Sequence, residues 1–409
     1  MPAEPLGLWE GYGVEIELMI VDAATLDVAS LCDRLMERVV GEAVSEVDRG
    51  ALAWSNELAL HVVELKTNGP AASLHGLAAA FQESVRTIAT ELRPLGARLM
   101  PGGMHPWMDP ASELRLWPHE YNDVYRAFDR IFSCRGHGWA NLQSTHLNLP
   151  FRGGEEFRLL HEAIRLVLPI IPALSAASPV LDGRPGPALD NRLLAYRDNA
   201  RRVPSVTGRV VPESVESPEA YQEVILERIY NDLAPLDPEG VLEGEWVNAR
   251  GAIARFQRGA IEVRVVDAQE CPVADLAVTA AVAHAVRRVV ERLAAADAAP
   301  LPTDLLADVL DRTLVDGERT RLVEPAYLER LGLAGAPTTA GEAWAALLAP
   351  LLEDPAAAEW HRPLRVILER GPLARRVLEA LGAAPGRSDL ERVWTRLCEG
   401  LEVGEPFLP

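Results

Sequence analysis

Three short stretches, far apart in the chain, alternate apolar and charged residues with a period of two, and they constrain the architecture most. In Gly13–Asp22 (GVEIELMIVD), Val14, Ile16 and Leu18 fall on one side and Glu15 and Glu17 on the other. In Ser144–Pro150 (STHLNLP), His146 and Asn148 oppose Leu147 and Leu149. In 260–266, Glu262 and Arg264 oppose Ile261, Val263 and Val265. A period of two is that of a β-strand, whose successive side chains point to opposite faces. The pattern predicts a sheet with one apolar face, to be covered by helices, and one face lined by carboxylates, a histidine and an arginine.

The remaining segments supply that cover. Residues 31–42, 73–92, 121–132 and 155–171 carry helical spacing, and 54–68 reads as extended, ending at Gly69 and Pro70. Residues 98–104 read as a further strand, and 260–266 as the last clear one. The stretch 175–215 is rich in Pro, Gly and Arg and reads as long loops over a site. After Pro272 the pattern is helical almost to the end, with capping boxes expected at Thr339 with Glu342 and at Ser388 with Glu391. Proline and glycine at 298–303 and 332–337 punctuate these helices. The expected organisation is an α+β catalytic domain over 1–297 and a helical C-terminal portion over 298–409 packed on it.

Composition narrows the chemistry. The chain of 409 residues has a net charge of −20, a surface that repels nucleic acid and anionic lipid. Its first residues lack a basic run followed by an apolar core, so no signal peptide is expected. The longest apolar stretch, 276–290, is broken by His284, Arg287 and Arg288, so no membrane helix is expected. Cys32, Cys134, Cys271 and Cys398 are widely spaced, without a metal-type pair, which fits a reducing cytoplasm. Cys271 reads as a packed thiol at a strand end. Lys66 is the only lysine among the 40 basic residues. A phosphate-binding loop ending in G-K-[ST] is therefore excluded, and a lysine Schiff base would have to use Lys66.

Carboxylates converging on one concave face repel each other or take up protons. Divalent cations remove that conflict: magnesium prefers oxygen ligands, and manganese also accepts histidine. Glu57 and Glu64 belong to the same acidic set. Their odd separation places Glu57 at a turn or bulge before the strand that carries Glu64. Arg264, with its planar fork, suits a transferred phosphate. Any one of these features is ordinary by itself, since acidic strands are often half exposed and histidines are often structural. Together they make phosphoryl transfer the economical reading. Trp107, Trp117 and Trp139 are candidate pocket residues, although isolated tryptophans more often belong to a core.

In order along the chain, GVEIELMIVD, NELALHVVELKT, GGMHP, STHLNLP and RGAIEVRVVD resemble the motifs of the glutamate–cysteine ligase and carboxylate–amine ligase family. The segment SAASPVLDGRPGPALDNR is also similar, and the resemblance covers about residues 11 to 272. It implies a glutamine-synthetase-like antiparallel sheet with a concave polar face that holds ATP and two or three magnesium ions, with manganese as a substitute. By the same resemblance Glu15, Glu17, Glu57, Glu64, His146 and Glu262 are metal ligands, and Glu262 and Arg264 are catalytic. Arg264, Arg192 and Asn148 would contact nucleotide or substrate. The chain departs from the family's motifs at three places. It has His146-Leu147-Asn148 where H-V-H is frequent, Glu120-Tyr121 where an arginine–tyrosine pair is frequent, and the segment DAQECP after Arg264. The implied activity joins a small-molecule acid, such as glutamate, to an amine, such as cysteine, in the cytoplasm; no nucleic acid or membrane partner is implied, and a homo-oligomer is left open. Two other readings stay open: a guanidino-kinase-type phosphotransferase, and a non-catalytic nucleotide or metabolite sensor.

Overall fold

The structure is a computed structural model that describes residues 5–295, 299–333 and 338–409. The 297/298 boundary and residues 334–337 of the expected punctuation lie outside the described residues.

The fold is α+β, built on an eight-stranded antiparallel sheet. Its strands are β1 (Gly13–Asp22), β2 (Glu46–Arg49), β3 (Leu52–Asn56), β4 (Val62–Thr67), β5 (Ala97–Met100) and β6 (Ser144–Pro150), followed after a small hairpin, β7 (Val180–Leu181) and β8 (Arg184–Pro185), by β9 (Ala252–Arg255) and β10 (Ala260–Asp267). The spatial order is β2-β3-β4-β1-β6-β10-β9, and β5 pairs with the far end of β1. The three alternating segments are therefore adjacent strands. Their register sets Glu15 opposite both Lys66 and His146, and Glu17 opposite Glu64.

The apolar residues of these strands are buried together. Val14, Ile16, Leu18, Leu147, Leu149, Ile261, Val263 and Val265 are each at most 1% exposed, in one core that extends to Leu401. Helix Pro272–Ala294 packs on this face beside helices Leu77–Leu92 and Gly153–Val167. Its first four turns are rich in Ala and Val and buried nearly all round, as expected of a helix with neighbours on every side. Asp275 in its first turn accepts from Thr145 Oγ1 (2.6 Å) and the Gln269 amide (2.8 Å), which ties the helix to β6 and to the end of β10. The later helices are anchored to the same body. Trp344 Nε1 donates to the Ile170 carbonyl at 2.6 Å, and Tyr327 Oη to that of Leu166 at 2.9 Å.

Several expectations are corrected. The extended run 54–68 is two strands, β3 and β4, joined by a turn, because residues 57–61 leave the ladder. The strand expected over 98–104 stops at Met100; Gly102 follows at φ +102°, and a side chain at Gly103 would meet the Asp267 carboxylate at 2.5 Å. The loop region 175–215 contains helix Asn191–Tyr196 and is largely buried. The Thr339–Glu342 capping box forms. The one expected at Ser388 does not: that helix starts at Arg387, and the Asp389 carboxylate accepts from the Gly386 amide. After β10 the described residues hold one more strand pair, Arg321–Leu322 with Thr338–Thr339. Strands β2 and β9, four residues each, are too short for periodicity to reveal.

Candidate active site

The polar face of the sheet forms the floor of a cavity of about 860 Å³. Glu15 and Glu17 come from β1, Glu64 from β4, His146 from β6, and Glu262 and Arg264 from β10, so four adjacent strands deliver the set. His146 is at the centre. Its Nδ1 is 3.0 Å from Glu15 Oε2 and 3.9 Å from Glu262 Oε1, and its Nε2 is 3.0 Å from Ser144 Oγ and 3.8 Å from Glu17 Oε1. Two ligand groups overlap at this histidine: Glu15 with His146 and Glu262, and Glu17 with Glu64 and His146, each with its ligand atoms within 4.8 Å of one another.

Neighbouring groups aim these carboxylates. The Ser144 amide and hydroxyl both donate to Glu17 Oε2 at 2.8 Å, which leaves Oε1 directed at the histidine. Glu64 Oε1 accepts from Ser55 Oγ at 2.7 Å. Arg255 Nη1 donates to Glu262 Oε2 at 2.7 Å, and Arg264 Nε is 3.0 Å from Glu262 Oε1 without hydrogen-bond alignment. Asn148 Nδ2 donates to Glu15 Oε1 at 3.2 Å, and its Oδ1 is buried without a partner. Arg192 is at the cavity edge with its Nε on Asp267 Oδ1, which also receives support from Ser178 through the other oxygen.

Glu57 is in the β3–β4 turn and lines the cavity, but it stands outside both ligand groups. Burial, then the charges of Glu64, Glu17 and Glu15, push its carboxyl well above the usual range. Burial and the Glu15 charge push Glu64 up to about 7, against Lys66 and Ser55. For Glu15, burial raises the pKa, but the hydrogen bond and charge of His146, with Arg258 and Lys66, bring it below the usual range. For His146, burial lowers the value, and Glu15, Glu17 and Glu262 raise it above the usual one. Carboxylates this crowded are under electrostatic stress that a divalent cation relieves. Oxygen donors around one imidazole suit magnesium, and suit manganese as well. The donor set therefore fits a metal centre.

The walls come partly from the expected helix at 121–132 and the candidate Trp139, and partly from Tyr196 and Trp246, which pattern reading missed. Tyr125 and Phe128 of helix Asn122–Phe132, Trp139, Tyr196 and Trp246 also line the cavity. Phe128 packs against Trp139 and Trp246 with ring centroids 5.1 and 5.8 Å apart. Of the three tryptophans singled out from sequence, Trp139 reaches the cavity, Trp117 is fully buried in the core, and Trp107 packs on a smaller cluster. Arg255 and Arg258 were also missed; their flanking strand β9 carries no alternating signature.

The sequence model of the glutamate-cysteine ligase family 2 matches residues 12–395. The chain belongs to this family. The match runs past the motif-bearing part into the C-terminal helices. An uncharacterized protein of Archaeoglobus fulgidus is 35% identical over 319 residues, 78% of this chain and 83% of that protein. A protein of Rubrobacter xylanophilus, provisionally named glutamate–cysteine ligase 2-3, is 32% identical over 191 residues, 45% of this chain and 46% of its own length. Among solved structures, a bifunctional glutathione synthetase from Pasteurella multocida superposes with a TM-score of 0.54 at 13% identity, covering 97% of this chain and 52% of that one. That likeness concerns the fold. Family membership supports a carboxylate–amine ligase. No helix among the described residues is long and apolar enough to cross a membrane.

Proposed function

We propose that this protein is an ATP- and magnesium-dependent ligase that joins a carboxylate to an amine through an acyl phosphate, on a glutamine-synthetase-like sheet. The acid is the side-chain carboxylate of glutamate or a similar acid, and the amine is cysteine or another amino compound. The observation that carries the reading is the pair of overlapping ligand groups sharing His146, with Arg264 beside Glu262 on the same floor. The proposed metal ligands are Glu15, Glu17, Glu64, His146 and Glu262, with Glu57 as an outer carboxylate. Bound magnesium would screen the triphosphate and act as a Lewis acid toward its oxygens.

In the first step a substrate carboxylate oxygen bonds to the γ-phosphorus of ATP, and the bond to the ADP oxygen breaks. In the second, the amine nitrogen bonds to the acyl carbon, phosphate leaves, and the nitrogen gives up its extra protons. Arg264 stabilises charge gathering on the phosphoryl oxygens, where a planar donor fork counts most. Arg255 keeps Glu262 in place, Ser144 orients Glu17, and Arg192, held by Asp267, faces the substrate side of the cavity. The aromatic wall of Trp139, Phe128 and Trp246 excludes water from the acyl intermediate. Residues 1–297 form the catalytic unit in this reading and 298–409 its helical support.

The test is ATP turnover with magnesium, glutamate and a panel of amines. ADP and free phosphate appearing only when acid and amine are both present is the expected result. ADP formed without phosphate release would identify a phosphotransferase, and no ATP consumption under any pairing would identify a sensor.

A further inference from the structure

The only lysine of the chain is on the floor of this cavity. Lys66 is directly across from Glu15 and two residues beyond Glu64, so all three share the polar face. Its Nζ is 2.9 Å from Glu46 Oε2 and 3.3 Å from Glu64 Oε1. These partners differ in kind. Glu64 is buried and belongs to a ligand group, whereas the Glu46 side chain, on edge strand β2, is 55% exposed. An ammonium carries three donors, and two ion pairs leave one unused. An exposed ion pair contributes at most about 1 kcal/mol, so exchanging Glu46 for an anionic ligand costs little.

Three of the cavity's arginines have buried partners, while Arg258, 53% exposed, reaches Glu15 Oε1 at 3.4 Å from the rim. Arg192 is bound to fully buried Asp267, and Arg255 and Arg264 both engage Glu262. Elsewhere the chain meets its need for positive charge with arginine. A compact ammonium suits a place where one anionic oxygen approaches beside Glu64 and a point charge, not a planar fork, is what meets it.

We propose that Lys66 binds an anionic oxygen of a bound substrate, a phosphate or a carboxylate, giving up Glu46 and keeping Glu64. This inference rests on the ligase reading of the cavity. Lys66 is then a substrate-binding residue beyond the metal ligands and Arg264, and Glu46 is its resting partner.

A chain with one lysine allows a clean test. Protein grown with lysine carrying carbon-13 at Cε gives a single lysine NMR signal. It is followed on adding magnesium alone, then ATP with magnesium, then glutamate. The signal should move beyond its magnesium-only position when one of the two substrates is added, and which one moves it tells phosphate from carboxylate. Lys66→Met, checked for folding by its melting curve, should raise KM for that same substrate by about tenfold or more, equivalent to about 1.4 kcal/mol. Glu46→Gln, which removes the competing anion, should lower it. The proposal is overturned if magnesium alone produces the whole shift, ATP and glutamate add nothing, and Lys66→Met leaves both KM values unchanged. Wild-type turnover is scored separately: no turnover beside an intact NMR response defeats the ligase reading and leaves the anion site standing.

Discussion

The two faces of the central sheet use the same strands for opposite purposes. On one face Val14, Ile16, Leu147, Leu149, Ile261 and Val263 are buried together under helix Pro272–Ala294. Each such side chain removed from water stabilises the fold by roughly 1.5–3 kcal/mol. On the other, Glu15, Glu17, Glu64 and Glu262 crowd around His146, and burial with mutual repulsion pushes Glu64 up to about 7. The apolar face stabilises the fold, while the polar face sets the Glu15–His146 pairing against the buried, mutually repelling Glu57 and Glu64 and is retained for its chemistry. Substitutions should therefore separate: those on the acidic face should affect activity and spare the fold, and those on the apolar face should do the reverse.

The largest effect is expected on the acidic face. Glu17→Gln should lower ATP turnover about a thousandfold, near 4 kcal/mol of barrier, because an amide is a poor cation ligand. Its melting temperature without metal should stay the same or rise, since a repelling charge is removed. A large loss of stability with turnover retained would break the contrast between faces. Leu147→Ala, one residue from His146 on the opposite face, should cost about 2–5 kcal/mol in denaturant melts and leave magnesium affinity unchanged.

Arg264→Lys comes next. It keeps the charge and loses the fork, so kcat should fall roughly a hundredfold while ATP binding weakens little. Normal kcat with weaker ATP binding would give Arg264 a ground-state role.

The smallest effect sharpens the comparison where the faces meet. Burial pushes Asp275 up to about 7, although Thr145 and the Gln269 amide oppose the rise. The unfolded chain loses this proton near pH 4, and the folded chain keeps it until about 7. Its contribution to stability is thus fully present below pH 4 and is lost as pH rises toward 7. Both of the Asp275 hydrogen bonds to Thr145 and Gln269 use Oδ1, which asparagine also offers. Asp275→Asn should flatten the decline of melting temperature between pH 5 and 8 and match or exceed the wild type at pH 8. Parallel curves would show that this carboxyl does not titrate in that window.

Much of this division was legible in the sequence because it repeats with a period of two. The alternation in β1, β6 and β10 assigned Glu15, Glu17, His146, Glu262 and Arg264 to one face before any pairing was known. The odd spacing of Glu57 and Glu64 implied the turn now seen between β3 and β4. The walls were only partly legible. Trp139 was a candidate, but it, Tyr196 and Trp246 lie in helical segments of three to six residues, and only the tertiary fold brings them to one cavity. Arg255 escaped notice because β9 offers four residues with no charge alternation, and its role depends on pairing with β10. Lys66 was visible as a compositional oddity, and the β1–β4 register places it opposite Glu15.

The central claim is that a substrate carboxylate is activated by phosphoryl transfer on this floor, and the path of one oxygen atom tests it. The acid substrate is labelled with oxygen-18 in its reacting carboxylate, and amide formation is run with ATP and magnesium. An acyl phosphate requires one labelled oxygen to leave with phosphorus when the amine attacks carbon. The account predicts one oxygen-18 per released phosphate, in step with amide formed. Amide formation that leaves the phosphate unlabelled would contradict it.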